Sequence, residues 1–454
     1  MQVGRREIVW PCKRSLTRGD GVPRDAFRGG IHPPDMKHLS AGRPIERAAV
    51  PERLVVPAIQ HIGACCEPTV DPGQRVKRGQ AIALVDAFVS APVHSPVDGV
   101  VEEISEHLTA AGLRVPCVTI IPDAEQDFDR WEPVEGSDLA AIVRAAGVVG
   151  LGGATFPSAV KLVPPKEFTV TTVILNGCEC EPYLTCDHRL MLEAPDRVVR
   201  GGVIIRESLG AERLVIGIES NKKDAAEAVR EAAQGTEAEV VVLPTKYPQG
   251  AEKQLIWAIL RKEVPHGKLP AAAGALVHNV GTAAAIADAV DVRKPLMERV
   301  VTVTGRVAKP GNYRVLLGTL VSDLIEMAGG FSGEVERVIA GGPMTGPVLG
   351  SLDVPVTKGM SGVVVLGPGD AAKPVDEDQP CIRCGRCSEA CPMFLQPFAI
   401  GTYANARLWD RTEQFHALDC IECGACAYVC PTSRPLVQLI RIAKAELAAK
   451  GVRP

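Results

Sequence analysis

Nowhere does the 454-residue chain hold the roughly eighteen consecutive apolar residues that mark a membrane-spanning helix. The nearest run, residues 271–290, is rich in Ala and Gly and is broken by His278, Asn279 and Asp288. The basic stretch over residues 1–20 lacks a hydrophobic segment, so no secretory signal is expected. An excess of one charge is missing too. Lys and Arg number 50 against 54 Asp and Glu, and the net charge of −4 gives no global reason to bind nucleic acid. The chain does hold 15 cysteines, and its length is enough for roughly three or four separate cores.

Eight of those cysteines fall in two runs near the C-terminus. They are Cys381, Cys384, Cys387, Cys391 with Pro392, and Cys420, Cys423, Cys426, Cys430 with Pro431. Each reads C-x-x-C-x-x-C-x-x-x-C-P, the bacterial ferredoxin spacing for 4Fe–4S clusters. Three thiolates at intervals of three wrap three irons of one cube, and the fourth points to the neighbouring cube. The spacing therefore assigns Cys381, Cys384, Cys387 and Cys430 to one cluster, and Cys420, Cys423, Cys426 and Cys391 to the other. Structural zinc is the alternative, but it pairs C-x-x-C knuckles and needs no third cysteine and no cysteine–proline pair. Clusters require a reducing compartment, so a cytoplasmic setting is expected and a disulfide framework is not. Seven cysteines remain: Cys12, Cys65, Cys66, Cys117, Cys178, Cys180 and Cys186. The C-x-C-x5-C spacing of the last three lacks a clear fourth metal ligand.

The sequence reads as a multidomain α+β chain. Residues 1–28 form an aperiodic arm. Residues 29–136 hold short β-like runs between turns, among them Asp71-Pro72-Gly73-Gln74-Arg75-Val76 and Ala91-Pro92-Val93-His94. This stretch resembles the β-sandwich of biotinyl and lipoyl carrier domains. The stretch 85–89, where those carriers present a modifiable lysine, has none, so a structural or docking module without an attached group is expected. Over residues 137–295 β runs at 171–175, 213–218 and 240–243 alternate with helical stretches at 224–233 and Glu252–Leu260, the pattern of an α/β domain. Residues 296–370 return to β, with one short helix near 320–328. A polar linker at 371–379 leads to an α-helical two-cluster ferredoxin domain over 371–454, with helical tendency around 398–409 between the cysteine runs. The basic residues Arg441, Lys444, Lys450 and Arg453 read as a solvated helix face.

Four segments of the α/β region carry polar chemistry. Gly150-Leu151-Gly152-Gly153-Ala154-Thr155-Phe156-Pro157 ends one helical stretch and opens another, allowing close backbone approach and free N–H groups toward a phosphate. Asn176-Gly177-Cys178-Glu179-Cys180-Glu181 follows a strand-like run, where α/β sheets place ligand contacts. Then come Tyr247-Pro248-Gln249-Gly250-Ala251-Glu252 and Val277-His278-Asn279-Val280-Gly281-Thr282. In this order they resemble the flavin-and-NADH subunit of respiratory complex I. The resemblance implies that Gly150, Gly152, Gly153, Lys161 and Asn176 face FMN and that Phe156 stacks on the nicotinamide nucleotide. It further implies that Glu181 and Glu252 meet the nucleotide's polar edges and that Asn279 and Thr282 close the flavin site. Thr155 stands where that family has glycine, and Cys178 where it has aspartate.

A wider resemblance covers residues 29–440. Gly29-Gly30-Ile31-His32-Pro33-Pro34, the glycine loop, the segment 176–187, Tyr247-Pro248-Gln249-Gly250 and the paired cysteine runs are similar to RnfC. RnfC is a subunit of the Rnf ion-translocating ferredoxin:NAD oxidoreductase complex. Val301-Thr302-Val303-Thr304-Gly305 with Lys309-Pro310-Gly311-Asn312-Tyr313 resembles its SLBB (β-grasp-like) domain. The resemblance implies a peripheral subunit on the cytoplasmic side of the cell inner membrane, an oxidoreductase/translocase component. It would carry FMN and two 4Fe–4S clusters and use NAD(H) as substrate. Its implied partners are integral-membrane and other redox subunits, with ferredoxin indirectly and no nucleic acid. No residue is expected to act as a covalent catalyst, because FMN matches hydride transfer to one-electron clusters. Two rivals stay open: a cobalamin-reductase-type flavin/Fe–S subunit, and an electron-wiring scaffold without an NADH site.

Overall fold

The computed structural model describes residues 27–370 and 380–452. Most of the N-terminal arm, Cys12, the 371–379 linker and Arg453 lie outside them. Among the described residues no helix is long and apolar enough to cross a membrane.

The β module is two small sheets around one core. Leu54–Pro57, Arg114–Pro122, Gly99–Leu108 and Arg75–Val76 form the first, and Glu67–Pro68, Ala81–Leu84 and Val93–His94 the second. Leu54, Val56, Ile82, Val93, Val97, Val118 and Ile120 are buried between them. The long strands Gly99–Leu108 and Arg114–Pro122 bury only part of their length and carry polar residues to water over the rest.

The α/β domain carries a four-stranded parallel sheet in the order Ala238–Leu243, Arg213–Glu219, Thr172–Gly177, Ala275–Asn279. The Val173–Leu175 stretch is wholly buried and continuously apolar, as expected of a parallel strand covered on both faces. Helices Pro195–Leu209 and Val280–Asp291 pack together on one side, where Gly201 lets the backbone of Ala283 approach too closely for any Cβ. The strand order reverses between Thr172–Gly177 and Ala275–Asn279, and near their ends Asn176 and Asn279 are paired in register. In open α/β sheets this reversal point is where ligands bind.

A third domain joins Gly311–Leu316, Glu298–Gly305, Gly362–Leu366 and Arg337–Ala340 in one sheet against helix Val321–Met327. Its edge is completed by Ile45–Arg47, which pairs parallel to Gly311–Leu316. The sequence reading grouped those residues with the β module. In three dimensions the segment 27–47 runs across the other domains instead. The ferredoxin-like domain follows, with helices Arg386–Ala390, Pro397–Asn405, Trp409–Gln414, Ala425–Tyr428 and Leu436–Ala449.

Buried charges stitch the domains. Glu298 pairs with Arg78 of the β module (3.3 Å), Arg47 (3.0 Å) and Lys294 (2.9 Å). Despite burial, Lys294, Arg47 and Arg314 hold its carboxyl down at about 2. Lys358 is different. It is fully buried, donates to the carbonyls of Pro92 (2.6 Å) and Gly147 (2.8 Å), and has no carboxylate partner among the described residues. Burial pulls its ammonium down from 10.5 to about 7. Between those values the unfolded chain binds the proton and the folded chain does not, so stability rises with pH from about 7 toward 10.5, at up to roughly 1.4 kcal/mol per pH unit. Urea midpoints measured at several pH values across that window should climb for the parent chain and flatten for Lys358→Met. Equal slopes for both would refute the assignment.

Candidate functional site: a switch-point crevice beside two thiol cages

Val149 bridges Pro157, and the Gly150 N–H donates to the Phe156 carbonyl (3.0 Å), so residues 150–156 form a closed turn above the sheet. Thr282 Oγ1 accepts from the Leu151 N–H (2.9 Å) and fixes the turn to helix Val280–Asp291. Asn279 caps that helix, its Oδ1 accepting from Gly281 (2.8 Å) and Thr282 (3.3 Å), while its Nδ2 donates to Asp187 (2.6 Å). A Cβ on Gly152 would lie 2.8 Å from that Nδ2, so the loop's close approach depends on glycine. A Cβ on Gly153 would meet nothing, which leaves it facing open space. Lys161 pairs with Glu252 (3.1 Å) and donates to the Val277 carbonyl (3.1 Å). Asn176 Nδ2 donates to the Gly250 carbonyl (2.8 Å). The structure thus gathers Gly150, Gly152, Gly153, Phe156, Lys161, Asn176, Glu252, Asn279 and Thr282 around the reversal point of the sheet.

Three features differ from the sequence reading. The helix after the loop is a single turn, Ser158–Lys161, too short to act as a dipole toward a phosphate. Glu181 is turned away toward the third domain, where its carboxylate accepts from the Met344 N–H (3.0 Å) and the Thr345 hydroxyl. Burial raises its pKa. Arg441 and Lys444 are not merely solvated: both pair with Glu422, and Lys444 donates to the Cys420 carbonyl (2.9 Å).

Thr155 has φ +53°, the left-handed region, where a β-branched residue is an outlier. Thr155→Gly should therefore raise stability by about 1 kcal/mol, after allowing for glycine's entropic cost, and tighten FMN binding. Thermal melts and flavin-fluorescence titration test this, and a lower melting temperature would count against it.

Sequence reasoning missed the scaffold under the crevice. Lys37, 6% exposed, donates to the carbonyls of Glu179 (2.9 Å), Glu181 (2.9 Å) and Leu184. It thereby holds the acidic turn from inside. Its only signal was its place just beyond Gly29–Pro34. Glu179, Cys186 and Asp187 bring three ligand-type atoms within 4.8 Å of one another. Glu179, however, accepts from the N–H groups of Asp187 (2.7 Å) and His188 (3.2 Å), and buried Arg299 faces Cys186 and Asp187. The cluster is therefore a helix cap, with Glu179 taken up by backbone N–H groups and Arg299 beside Cys186 and Asp187. Burial, then Glu179, raises Asp187 to about 7. Cys180 lies apart from it, accepting from the Gly250 N–H (3.4 Å).

The eight run cysteines form two cages. Cys391, Cys420, Cys423 and Cys426 line one, and Cys381, Cys384, Cys387 and Cys430 the other. Four thiolates on one zinc at about 2.3 Å would sit about 3.8 Å apart. Among the described residues no three cysteine sulfurs lie within 4.8 Å of one another. The four sulfurs of each cage are thus spread more widely than a tetrahedral zinc site would hold them. The first is internal: Tyr247 Oη donates to the Cys423 carbonyl (2.7 Å) and Gln254 Nε2 to that of Pro392 (3.3 Å), both from the α/β domain. The second reaches the surface, where Cys384 and Ile382 are exposed.

An α/β reversal point bearing a glycine turn, joined by Tyr247 and Gln254 to one of two four-cysteine cages, is the arrangement of a flavin and iron–sulfur electron-transfer protein, and the known families bear this out. Family models agree domain by domain: the RnfC barrel sandwich hybrid domain over residues 25–125, the Nuo51 FMN-binding domain over 143–288, the SLBB domain over 300–348 and the 4Fe-4S dicluster domain over 380–433. The C subunit of the proton-translocating ferredoxin:NAD(+) oxidoreductase complex of Clostridium ljungdahlii is 46% identical, over 94% of this chain and 95% of its own. Its counterpart in the Na(+)-translocating complex of Acetobacterium woodii is 45% identical, over 94% and 98%. That of the ion-translocating oxidoreductase complex of Rhodobacter capsulatus is 42% identical, over 94% and 84%. The chain belongs to this family, the C subunits of ion-translocating ferredoxin:NAD(+) oxidoreductase complexes.

Proposed function

We propose that this chain exchanges electrons between NAD(H) and the other redox subunits of an ion-translocating complex, using FMN and two 4Fe–4S clusters. It would sit peripherally on the cytoplasmic side of the membrane. The observation that carries the reading is the adjacency of the crevice to the internal cage, made by the Tyr247 and Gln254 hydrogen bonds. FMN supplies the conversion between a hydride and single electrons. The chain supplies placement. Gly150, Gly152 and Gly153 let the backbone come close, Asn176, Asn279 and Thr282 fix the walls, and the Lys161–Glu252 pair offers a cation and an anion to a bound nucleotide. Phe156, half-buried at the rim, offers the stacking face. Glu181 serves as a latch to the third domain.

Cys391, Cys420, Cys423 and Cys426 would hold the inner cluster, and Cys381, Cys384, Cys387 and Cys430 the outer one, beside the exposed Ile382 and Cys384 where a partner subunit would dock. The full chain, reconstituted with iron, sulfide and FMN, should carry about eight irons and eight sulfides, and NADH should bleach its flavin band. A clustered, flavin-loaded chain inert to NADH would leave only the scaffold reading.

A further inference from the structure

The residues 247–250 form a strap between the crevice and the inner cage. At one end the Gly250 carbonyl accepts from Asn176 Nδ2 (2.8 Å), and its N–H donates to Cys180 Sγ (3.4 Å). At the other end Tyr247, 3% exposed, donates its hydroxyl proton to the carbonyl of Cys423 (2.7 Å). Its backbone is clamped on both sides by Ile31, through Ile31 N–H to Tyr247 O (2.8 Å) and Tyr247 N–H to Ile31 O (2.9 Å). Its ring is packed among Ile31, Ala390 and Ala425. The strap cannot slacken at either end without breaking one of these hydrogen bonds.

The two cages differ in how their ligands are supported. In the inner cage two ligand carbonyls receive side-chain donors: Tyr247 Oη on Cys423 and Lys444 Nζ on Cys420. Lys444 shares the Glu422 carboxylate with Arg441. The Tyr247 hydroxyl directs its hydrogen, the positive end of the O–H dipole, onto the Cys423 carbonyl. Among the described residues no side-chain donor of this kind reaches the carbonyls of Cys381, Cys384, Cys387 or Cys430. A cluster gains a negative charge when reduced, and hydrogen bonding and buried dipoles around its ligands are among the levers that set its potential.

We propose that Tyr247 is a positioning residue that raises the inner cluster's readiness to accept an electron, through its hydroxyl on the Cys423 carbonyl, while holding that ligand against the crevice. The inference rests on the reading of the 420-run cage as a 4Fe–4S site. Tyr247→Phe removes the hydroxyl and keeps the ring. It should shift the inner cluster's reduction equilibrium about threefold toward the oxidised form, which at 59 mV per tenfold is about 28 mV. The outer cluster should stay where it is.

The test is an EPR-monitored redox titration of the full chain carrying both clusters and no flavin. Ile31→Ala, which loosens the same packing without touching the hydroxyl, is the control and should leave both midpoints in place. Unmoved midpoints in Tyr247→Phe, an equal shift of both clusters, or the same inner shift in Ile31→Ala would each overturn the proposal. A chain that binds no iron and sulfide would instead fail the cluster reading itself, and the analytical counts separate the two outcomes.

Discussion

Cys391→Ser should strip the chain of the inner cluster and leave the outer one intact, halving iron from about eight to about four per chain. The result is informative because Cys391 belongs in sequence to the first run, whose other three thiols line the opposite cage. Helix Arg386–Ala390 carries Cys387 toward the outer cage, and Cys391, at the helix's end, leaves it in extended backbone with φ −70° and ψ 116°. That turn of the chain sends the fourth thiol across. Cys430→Ser should give the mirror image, losing the outer cluster. The check is iron and sulfide analysis together with EPR of the reduced protein, where the surviving signal identifies the cage. Retention of the 420-run cluster in Cys391→Ser, with loss of the other, would overturn the crossed ligation.

Gly152→Val should cost FMN affinity on the order of a hundredfold. The added Cβ would press on Asn279, which cannot swing aside, because one end of its amide caps a helix and the other holds Asp187. Pushing it away would also cost about 1 kcal/mol of helix capping. Flavin-fluorescence titration reads the affinity, and a thermal melt reads the cap. Near-parent FMN binding would show that the loop does not face the flavin. Gly153→Ala, at a position with open space, should cost far less, which makes the pair of variants a test of orientation rather than of glycine content.

Legibility in the sequence followed the range over which each feature is determined. Each cysteine run was readable because its thiol spacing lies within about ten residues, whereas each cage draws its fourth thiol from the other run. Helix Glu252–Leu260 was readable from its local apolar pattern and is found at those bounds. The parallel strands extend a residue or two beyond their apolar runs, because Asn176 and Gly177 are held in register by a neighbour and not by their own side chains. What stayed hidden depends on partners far along the chain. Ile45–Arg47 is three residues long with no alternation to announce it, and it is a strand only because Gly311–Leu316 is there to pair with. Glu181 looked like a nucleotide contact because it ends the segment 176–181 that resembles a flavin- and nucleotide-binding stretch. Its partners Met344 and Thr345 come from a loop more than 160 residues away. Lys37 offered even less: a lone lysine after a turn gives no hint that three carbonyls await it.

The segment that carries Lys37 also orders the making of the protein. Gly29 and Gly30, both at positive φ, thread so closely past the carbonyls of Cys391 and Tyr247 that a Cβ on either would sit 2.6 Å from those oxygens. The Gly30 N–H donates to the Ala390 carbonyl (2.8 Å). Residues 29 and 30 thus close their contacts against residues that follow them by more than 200 and more than 350 positions. Domains complete themselves in order of synthesis, so the β module and the α/β sheet can form while residues 29–37 still lack their final neighbour. The inner cage acquires its full wall only when residues 29–37, 247–254 and 391–426 are all in place, so a truncation before residue 420 leaves that N-terminal thread without the cage it closes upon.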